Sequence, residues 1–365
     1  MKYQFGFFFI GVVFSLLNSP SSAKAWGGRG HHTICEVAVH LVQDAELKAF
    51  LQPRPHVMGH LCNIPDIFWK NNGPEIRKTG DPTHYINSEI LGIALKDLPL
   101  DYTKLINDYT GQPNKEKPGL TIFSVPSELG SNWWRADQFM RRIAARKEAF
   151  AKAIPSVGSK HEYNDDHEYN KIVYETILDL GIMGHYVGDN AQPFHTSSDY
   201  DGYGAGHGGI HTYYEETIVG QFNGDLVGEI LRKARATAPF KEAQKFLTPI
   251  TTVEKMRALA LLSNTEIQTV YKIDPIIKKS EFREERGMQI RTPATRKAPE
   301  EGGPRLRPLV VKEMSRAALL LAKLWDEAYI SLGKPPLRIY KSYKYPFTPP
   351  YIPPDYIGAA AGSSK

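Results

Sequence analysis

The chain has 365 residues, of which 41% are hydrophobic and 23% are charged. This balance is ordinary for globular proteins and excludes a collagen, a coiled coil or a wholly disordered chain. With 45 Lys and Arg against 40 Asp and Glu, the formal net charge is +5. That charge is too small to indicate a dedicated nucleic-acid-binding protein.

The N-terminal segment has the pattern of a secretory leader. Lys2 precedes an apolar run from Phe5 to Leu17, which is of signal-peptide length and shorter than the about 20 residues that span a bilayer. Ala23-Lys24-Ala25 then matches an A-x-A cleavage site. We therefore expect residues 1–25 to be a signal peptide that is cleaved after Ala25. The mature chain would begin at Trp26 and be secreted or periplasmic.

The chain contains two cysteines, Cys35 and Cys62. Because exported proteins meet an oxidising environment, we predict a disulfide between them. A zinc site made of cysteines needs more thiols than these, so any zinc would have to be bound by histidine and carboxylate side chains.

Helical periodicity dominates the rest of the chain, and alternating strand patterns are scarce. The clearest signals, in chain order, are Ile34, Val37, Ala38 and Leu41 after Gly30, a helix from about Lys171 to Ala191 that Pro193 ends, a helix from near Ile210, a capping box at Thr251-x-x-Glu254, and a helix from Val310 to Gly333. These patterns predict an all-α fold, with a single multi-helical domain over residues 26–333.

Three segments are predicted as additions to the helical domain. Residues 102–169 contain Gly- and Pro-rich connections and one amphipathic helix after Asn132. Residues 278–308 are rich in charge, Gly and Pro, which predicts a long exposed loop. Residues 334–365 form a tail rich in Pro and Tyr, which we expect to lie extended on the surface or to be partly disordered.

Histidine and carboxylate pairs suggest a metal site. His185-x3-Asp189 and His211-x3-Glu215 each place two donors one helical turn apart on one face, and His195 lies between the pairs. Imidazole and carboxylate are the ligands that zinc takes when thiols are absent. A single such pair would be interpreted as a surface hydrogen bond. Two pairs with a histidine between them favour metal binding.

Four upstream residues are further candidate ligands. Trp26 would offer its freed amine and its carbonyl, and His31 lies near a predicted helix start. Pro65 predicts that Asp66 lies in the first turn of a helix, and His84 follows Asp81-Pro-Thr. Each upstream position alone also fits an ordinary role, such as a helix cap or a turn histidine.

Together these elements resemble the superfamily that unites zinc-dependent phospholipases C with single-strand-specific zinc nucleases. The elements that match, in the family order, are Trp26, His31, Asp66, His84, His185-x3-Asp189-x2-Gln192-Pro193-x-His195 and His211-x3-Glu215. They cover roughly residues 26–215. The helix that contains Leu324-Trp325-Asp326 also resembles the closing helix of the family.

The resemblance implies three zinc ions in an all-helical domain. Asp66, His84, His185 and Asp189 would hold the first zinc, and His195, His211 and Glu215 the second. The third would be held by Trp26, His31 and Asp189, so that Asp189 bridges two ions. Such a centre is expected to activate water and to cleave a phosphoester bond by in-line displacement. Asp66 is the expected catalytic residue, because it could orient or deprotonate the attacking water.

The resemblance leaves the substrate open. Glu215 as the last ligand resembles the phospholipase C branch, whose substrate would be a phospholipid, with peripheral membrane contact. Tyr85 and Asn87 lie where nuclease relatives stack and hydrogen-bond a base, which fits a single-stranded nucleic acid. We favour phospholipase C. The alternatives are a single-strand-specific nuclease and a non-catalytic metal- or lipid-binding protein.

No obligate protein partner is inferred. The remaining histidines match no family element and are interpreted as surface or core residues: His32, His40, His56, His60, His161, His167 and His207.

Overall fold

The computed structural model describes residues 26–285 and 288–356. The predicted signal peptide therefore lies outside the described residues, as does the end of the tail. The all-α fold is confirmed, because most of the described chain is helical and its few strands are short.

The first half of the chain supplies eight helices, joined by loops and short 3-10 turns. They are α1 (Gly27–Leu41), α2 (Ala45–Leu51), α3 (Pro55–Ile67), α4 (Pro74–Gly80), α5 (Tyr102–Tyr109), α6 (Val125–Glu128), α7 (Asn132–Ala145) and α8 (Lys147–Lys152). Four of these lie in the predicted 102–169 insertion. One of them, α7, packs against the longer helix that follows, so part of this segment belongs to the core.

The second half contains the longest helices. They are α9 (Glu168–Ala191), α10 (Ile210–Thr212), α11 (Ile218–Gln221), α12 (Leu226–Thr237), α13 (Lys241–Leu247), α14 (Thr252–Ile273) and α15 (Pro299–Ser331). The predicted capping box at Thr251 and Glu254 is present at the start of α14. Gly333 follows α15 with φ +83°, the left-handed conformation that favours glycine after a helix. None of the helices described has both the length and the hydropathy needed to cross a membrane.

The fold is centred on α9, which is buried along most of its length. It packs against α1, α3, α7, α14 and α15. Trp325 of α15 is buried and donates its indole N–H to the Leu180 carbonyl of α9 at 2.9 Å. The other helices therefore position their side chains relative to α9.

The predicted exposed loop at residues 278–308 was partly wrong. The segment contains a hairpin of β2 (Glu281–Glu285) and β3 (Met288–Thr292), beside a small antiparallel pair of β1 (Ile276–Lys278) and β4 (Thr295–Arg296). Helix α15 then begins at Pro299, well before Val310. Pro299 suits the first turn of a helix, where its missing N–H is not needed. The later Pro304 and Pro308 concealed this start in the sequence.

The described part of the tail is extended, apart from a 3-10 turn at Leu337–Ile339. It is held by specific hydrogen bonds. Arg54 donates to the Tyr340 carbonyl at 3.1 Å, Trp69 to the Pro349 carbonyl at 3.0 Å, and Gln138 to the Pro353 carbonyl at 2.8 Å. His60 of α3 also contacts the Pro346 carbonyl, and Thr79 of α4 contacts the Tyr351 hydroxyl. Residues 335–356, which we call the strap, therefore run over α3, α4 and α7.

Candidate metal centre

Two donors of the centre lie one turn apart on α9. His185 and Asp189 are fully buried, and the Asp189 carboxylate directs its two oxygens to different neighbours. Oδ2 lies 2.9 Å from His84 Nδ1 and 3.3 Å from His185 Nε2. Oδ1 lies 3.3 Å from His31 Nε2. Asp189 therefore contacts donors from three elements.

Around Asp189 the structure forms two adjoining groups of donors. One consists of Asp66, His84 and His185, and the other of His31, His185 and Asp189. Within each group the ligand atoms lie within 4.8 Å of one another, and all the residues are buried. His31 comes from α1, Asp66 from α3, and His84 from the 3-10 turn Asp81–His84. The helix packing thus gathers side chains that are far apart in sequence.

A third buried group consists of His195, His211 and Glu215. His195 lies in the 3-10 turn that Pro193 starts after α9. His211 lies in α10, and Glu215 in a single π-helical turn at Tyr213–Thr217; such turns often occur at functional sites. His211 Nε2 lies 2.8 Å from Glu215 Oε2 and 3.1 Å from His195 Nε2.

Backbone carbonyls fix the orientation of three of the imidazole rings. Nδ1 of His185 lies 2.7 Å from the Cys62 carbonyl, Nδ1 of His195 2.7 Å from the His84 carbonyl, and Nδ1 of His211 3.1 Å from the Tyr200 carbonyl. A carbonyl only accepts hydrogen bonds, so each Nδ1 is the donor. Each neutral ring then presents a bare lone pair at Nε2. This arrangement is usual for histidines that bind a metal.

The remaining contacts fit a cation better than a metal-free interior. The Nε2 atoms of His195 and His211 face each other at 3.1 Å, and two lone pairs at that distance repel unless a proton or a metal ion lies between them. Nδ1 of His31 and Oε1 of Glu215 are buried without a hydrogen-bond partner, and His31 Nε2 faces only the Asp189 carboxylate, at 3.3 Å. Buried groups of this kind are costly unless they are paired or bind a metal. The side chains present therefore fit bound metal ions.

Burial sets the protonation of the donors. It lowers the pKa of His84, His185 and His195 well below the ordinary histidine value, and neighbouring positive charges or imidazoles lower it further. These rings are therefore neutral and able to bind a metal. Burial also raises the pKa of Asp189 to about 7, against the opposing effect of His31. A bound cation would favour the ionised carboxylate.

The position of Asp66 corrects one expectation. Asp66 lies near the C-terminal end of α3, with Pro65 inside the helix, and not in a first turn. The helix begins earlier, at Pro55, and Pro55 itself occupies the first turn. Pro65 cannot donate a hydrogen bond to the carbonyl one turn before it, but the surrounding packing keeps the helix intact there.

Lys70 is a residue of the centre that we did not predict. Its side chain is buried, and its Nζ lies 2.5 Å from Asp66 Oδ1. Burial alone would lower the pKa of Lys70, but the charge of Asp66 raises it above the ordinary value. The signal in the sequence was the i, i+4 spacing from Asp66.

Trp26 is fully buried beside the donor groups. Its backbone nitrogen donates to Glu215 Oε2 at 3.2 Å, and its carbonyl accepts from the Gly30 N–H. The indole N–H donates to the Gly188 carbonyl at 2.7 Å. The structure thus places the Trp26 nitrogen beside the third group of donors, and it places His185 with His31 and Asp189.

Tyr85 and Asn87 follow His84 and are half-buried. The Tyr85 hydroxyl donates to the Ser127 carbonyl at 3.0 Å, and the Asn87 amide donates to the Glu128 carbonyl at 3.2 Å. Both side chains are therefore anchored to α6. The Asn87 Oδ1 atom is buried without a hydrogen-bond partner.

The structure pairs Cys35 with Cys62 in a disulfide that joins α1 to α3. The sulfurs pack against Gly184 of α9. Since the Cys62 carbonyl also accepts from His185, this cross-link lies directly beneath the metal donors.

No protein-family model matches the chain, and no curated protein matches it with significant similarity. The description of the centre therefore depends on its own geometry. Buried histidine, aspartate and glutamate side chains form groups that could bind metal ions.

Proposed function

We propose that the protein is an exported phosphodiesterase with three zinc ions, which hydrolyses phospholipids in the manner of a phospholipase C. The observation that carries this proposal is the convergence of three adjoining groups of donors, with Asp189 shared between neighbours at both of its oxygens. Histidine and carboxylate donors suit zinc. Adjoining ions suit phosphoester cleavage, which needs charge neutralised at both the attacking and the leaving oxygen.

Zinc ions bound here would supply a Lewis acid for the phosphoryl oxygens and would lower the pKa of a water molecule. Within the chain, Asp66 is the candidate base that accepts the proton of the attacking water. The water oxygen then bonds to phosphorus, the bond to the glycerol oxygen breaks, and that oxygen takes a proton from solvent. The products are diacylglycerol and a phosphorylated headgroup.

Lys70 supports the role of Asp66 in this reaction. Its ammonium group contacts Asp66 Oδ1 and so orients the carboxylate. A buried ammonium group beside the donors also attracts a phosphate anion.

Exposed apolar side chains support a lipid substrate. Ile67 follows Asp66 in the chain and is exposed, and Tyr200, whose carbonyl orients His211, is also exposed. Phe123 is 75% exposed. The loop that contains Phe123 also contains Glu116, which accepts a hydrogen bond at 3.2 Å from Ser198, three residues after His195. Such side chains could enter the boundary of a lipid surface.

Cleavage of single-stranded nucleic acid is the second candidate function. Its support is the unpaired Oδ1 atom of Asn87, two residues from Tyr85 and three from His84. This oxygen could accept a hydrogen bond from a base that stacks on Tyr85.

One assay distinguishes the candidates. The full chain is expressed with residues 1–25, and the intact mass of the exported protein tests cleavage after Ala25. Purified protein that begins at Trp26 is then loaded with zinc. It is then given mixed phospholipid vesicles or single-stranded RNA and DNA. We expect release of diacylglycerol and a loss of at least about 100-fold in Asp66→Asn. Asp179→Asn is the matched control, because Asp179 is a buried aspartate of α9 that pairs with Arg146 at 2.7 Å and lies outside the donor groups.

Nucleic-acid cleavage without lipid turnover would replace phospholipase C with the nuclease. Activity on neither substrate by a zinc-loaded protein would refute catalysis and favour a non-catalytic metal- or lipid-binding protein.

A further inference from the structure

A further group of metal-type donors lies outside the buried centre. It consists of His32 and Glu36 of α1 and His56 of α3, whose ligand atoms lie within 4.8 Å of one another. His32 Nε2 lies 3.9 Å from Glu36 Oε2, and the His32 and His56 rings are 5.8 Å apart between centroids. Two imidazoles and one carboxylate are donors that zinc and similar ions prefer.

Two features of the fold hold these side chains together. The disulfide between Cys35 and Cys62 fixes α1 against α3, so that donors on the two helices stay aligned. Gly59 of α3 makes room for the His32 ring, because a Cβ atom there would lie 2.6 Å from ring atoms of His32. The third donor, His56, lies in the first turn of α3, where its side chain is exposed and able to turn toward the pair.

The donors are available for binding. Within residues 26–285 and 288–356, no hydrogen bond involves a ring nitrogen of His32 or His56. By contrast, the neighbouring His60 contacts the Pro346 carbonyl of the strap through Nε2 at 2.9 Å, so it is committed elsewhere. His32 and Glu36 also line an open cavity of about 480 Å³, which gives solvent and ions access.

The spacing suits a tetrahedral ion after small side-chain movements. Zinc bonds of about 2.0–2.1 Å place neighbouring ligand atoms roughly 3.3 Å apart. The His32–Glu36 separation of 3.9 Å is close to that value. Three protein donors leave the fourth position for water, as expected for a site open to a cavity.

We propose that His32, Glu36 and His56 bind a divalent transition-metal ion of the zinc class, at a solvent-accessible site separate from the buried centre. This inference does not depend on the proposed catalytic function. The ion would link α1 to α3 near their disulfide, and these are the helices that carry His31 and Asp66. The site would therefore reinforce the alignment of two elements of the buried centre.

The test counts bound zinc by native mass spectrometry while free zinc is raised, for the purified protein and for variants. We expect His56→Ala to bind one zinc fewer than the native sequence, with the affinity for that ion weakened at least about tenfold. Glu36→Gln preserves the shape of the side chain but removes its charge. It should weaken the binding of the same ion. His40→Ala is the matched control, because His40 lies one turn beyond Glu36 on α1 and is not one of the three donors.

Equal zinc counts and affinities for native protein and His56→Ala at every free zinc concentration would overturn the proposal. So would a loss of the same ion in His40→Ala, since the effect would then not depend on the three donors. Circular dichroism of each variant checks that the helices are retained. Because the readout is metal stoichiometry, it is independent of activity on lipid or nucleic acid.

Discussion

Asp189 connects two groups of donors with a single carboxylate. Its Oδ1 faces His31 and its Oδ2 faces His84 and His185. His185 is a member of both groups, and the Asp189 carboxylate contacts donors of both, so loss of this carboxylate removes a contact from each group at once. Its backbone position on α9, directly after Gly188, also fixes it against Trp26.

We predict that Asp189→Ala lowers the zinc content by more than one ion. The bridging geometry is the reason, because each oxygen of Asp189 serves a different group of donors. Elemental analysis of purified protein measures the content, with Asp179→Asn as a control that keeps all the donors. Loss of one ion or none in Asp189→Ala would contradict the bridging role.

The raised pKa of Asp189 predicts a pH dependence of metal binding. Burial raises this pKa to about 7, and the carboxylate must be ionised to bind zinc. Apparent zinc affinity should therefore fall as the pH drops below about 7 and level off above it. Titration against a competing chelator between pH 5.5 and 8.5 measures this trend, and the slope should be smaller in Asp189→Asn.

In the metal-free protein, the raised pKa of Asp189 has the opposite effect: it makes the fold less stable, not more, as the pH rises. A carboxyl group whose pKa is higher in the folded state than its ordinary 3.8 stabilises the fold at low pH. That contribution is lost as the pH rises through about 7. After metal is removed with a chelator, the contribution of Asp189 to the free energy of unfolding should therefore be smaller at pH 8 than at pH 5.

At the scale of elements, three glycines let α9 approach its neighbours. A Cβ atom at Gly181 would collide with Leu61, one at Gly184 with the sulfurs of Cys35 and Cys62, and one at Gly188 with the ring of His31. These glycines lie on the side of α9 that meets α1 and α3. Close approach of the helix backbones is therefore required before the donors of the three helices can meet.

We predict that Gly184→Ala lowers the free energy of unfolding by about 1–3 kcal/mol, because the added methyl group overpacks the disulfide. Denaturant unfolding measures the change. Gly220→Ala is the matched control, since Gly220 is helical and has nothing within 4 Å of the added Cβ. It should be neutral or stabilise by up to about 1 kcal/mol. Equal effects of the two substitutions would contradict the close-packing argument.

The sequence predicts elements well where the signal is local. The helix that carries His185 and Asp189, its end at Pro193 and the capping box at Thr251 all follow from residues within one or two turns. The start of α15 and the position of Asp66 were wrong because prolines lie inside those helices, where tertiary packing overrides their usual effect. Lys70 was missed because an ammonium group is not a metal donor.

Within the centre, the sequence predicts which residues are donors. It predicts less well which of these donors lie together in the same group. The i, i+4 pairs fix His185 with Asp189 and His211 with Glu215. The placement of His31 beside His185, with ring centroids 4.0 Å apart, depends on how α1 crosses α9. No spacing within a single helix contains that information.

At the scale of the whole molecule, the strap supports the side of the centre that carries Lys70. Tyr351 packs edge-on against Trp69, with ring centroids 5.2 Å apart, and its hydroxyl contacts Thr79 at 2.9 Å. Tyr351 also lines a small cavity together with Lys70 and His84. The strap thus packs beside the 3-10 turn that contains His84.

We predict that Tyr351→Ala lowers the free energy of unfolding by about 2 kcal/mol, because a half-buried aromatic ring and its contacts are lost. Zinc affinity should fall as well, because Tyr351 no longer packs beside Lys70 and His84. Phe347→Ala is the control, because Phe347 belongs to the strap but is 67% exposed. If both variants kept the affinity of the native protein, support of the centre by the strap would be ruled out.

The strap also has a consequence for biosynthesis. Residues 335–356 form hydrogen bonds with partners that include Arg54, Trp69 and Thr79. The last part of the described chain to be translated therefore completes the surroundings of residues that are translated early. These contacts cannot form until residues 335–356 have left the ribosome. A nascent polypeptide can assemble its helices beforehand, but the wall beside His84 is completed last. Prematurely terminated chains should therefore be poor at retaining metal even when most of their helices have formed.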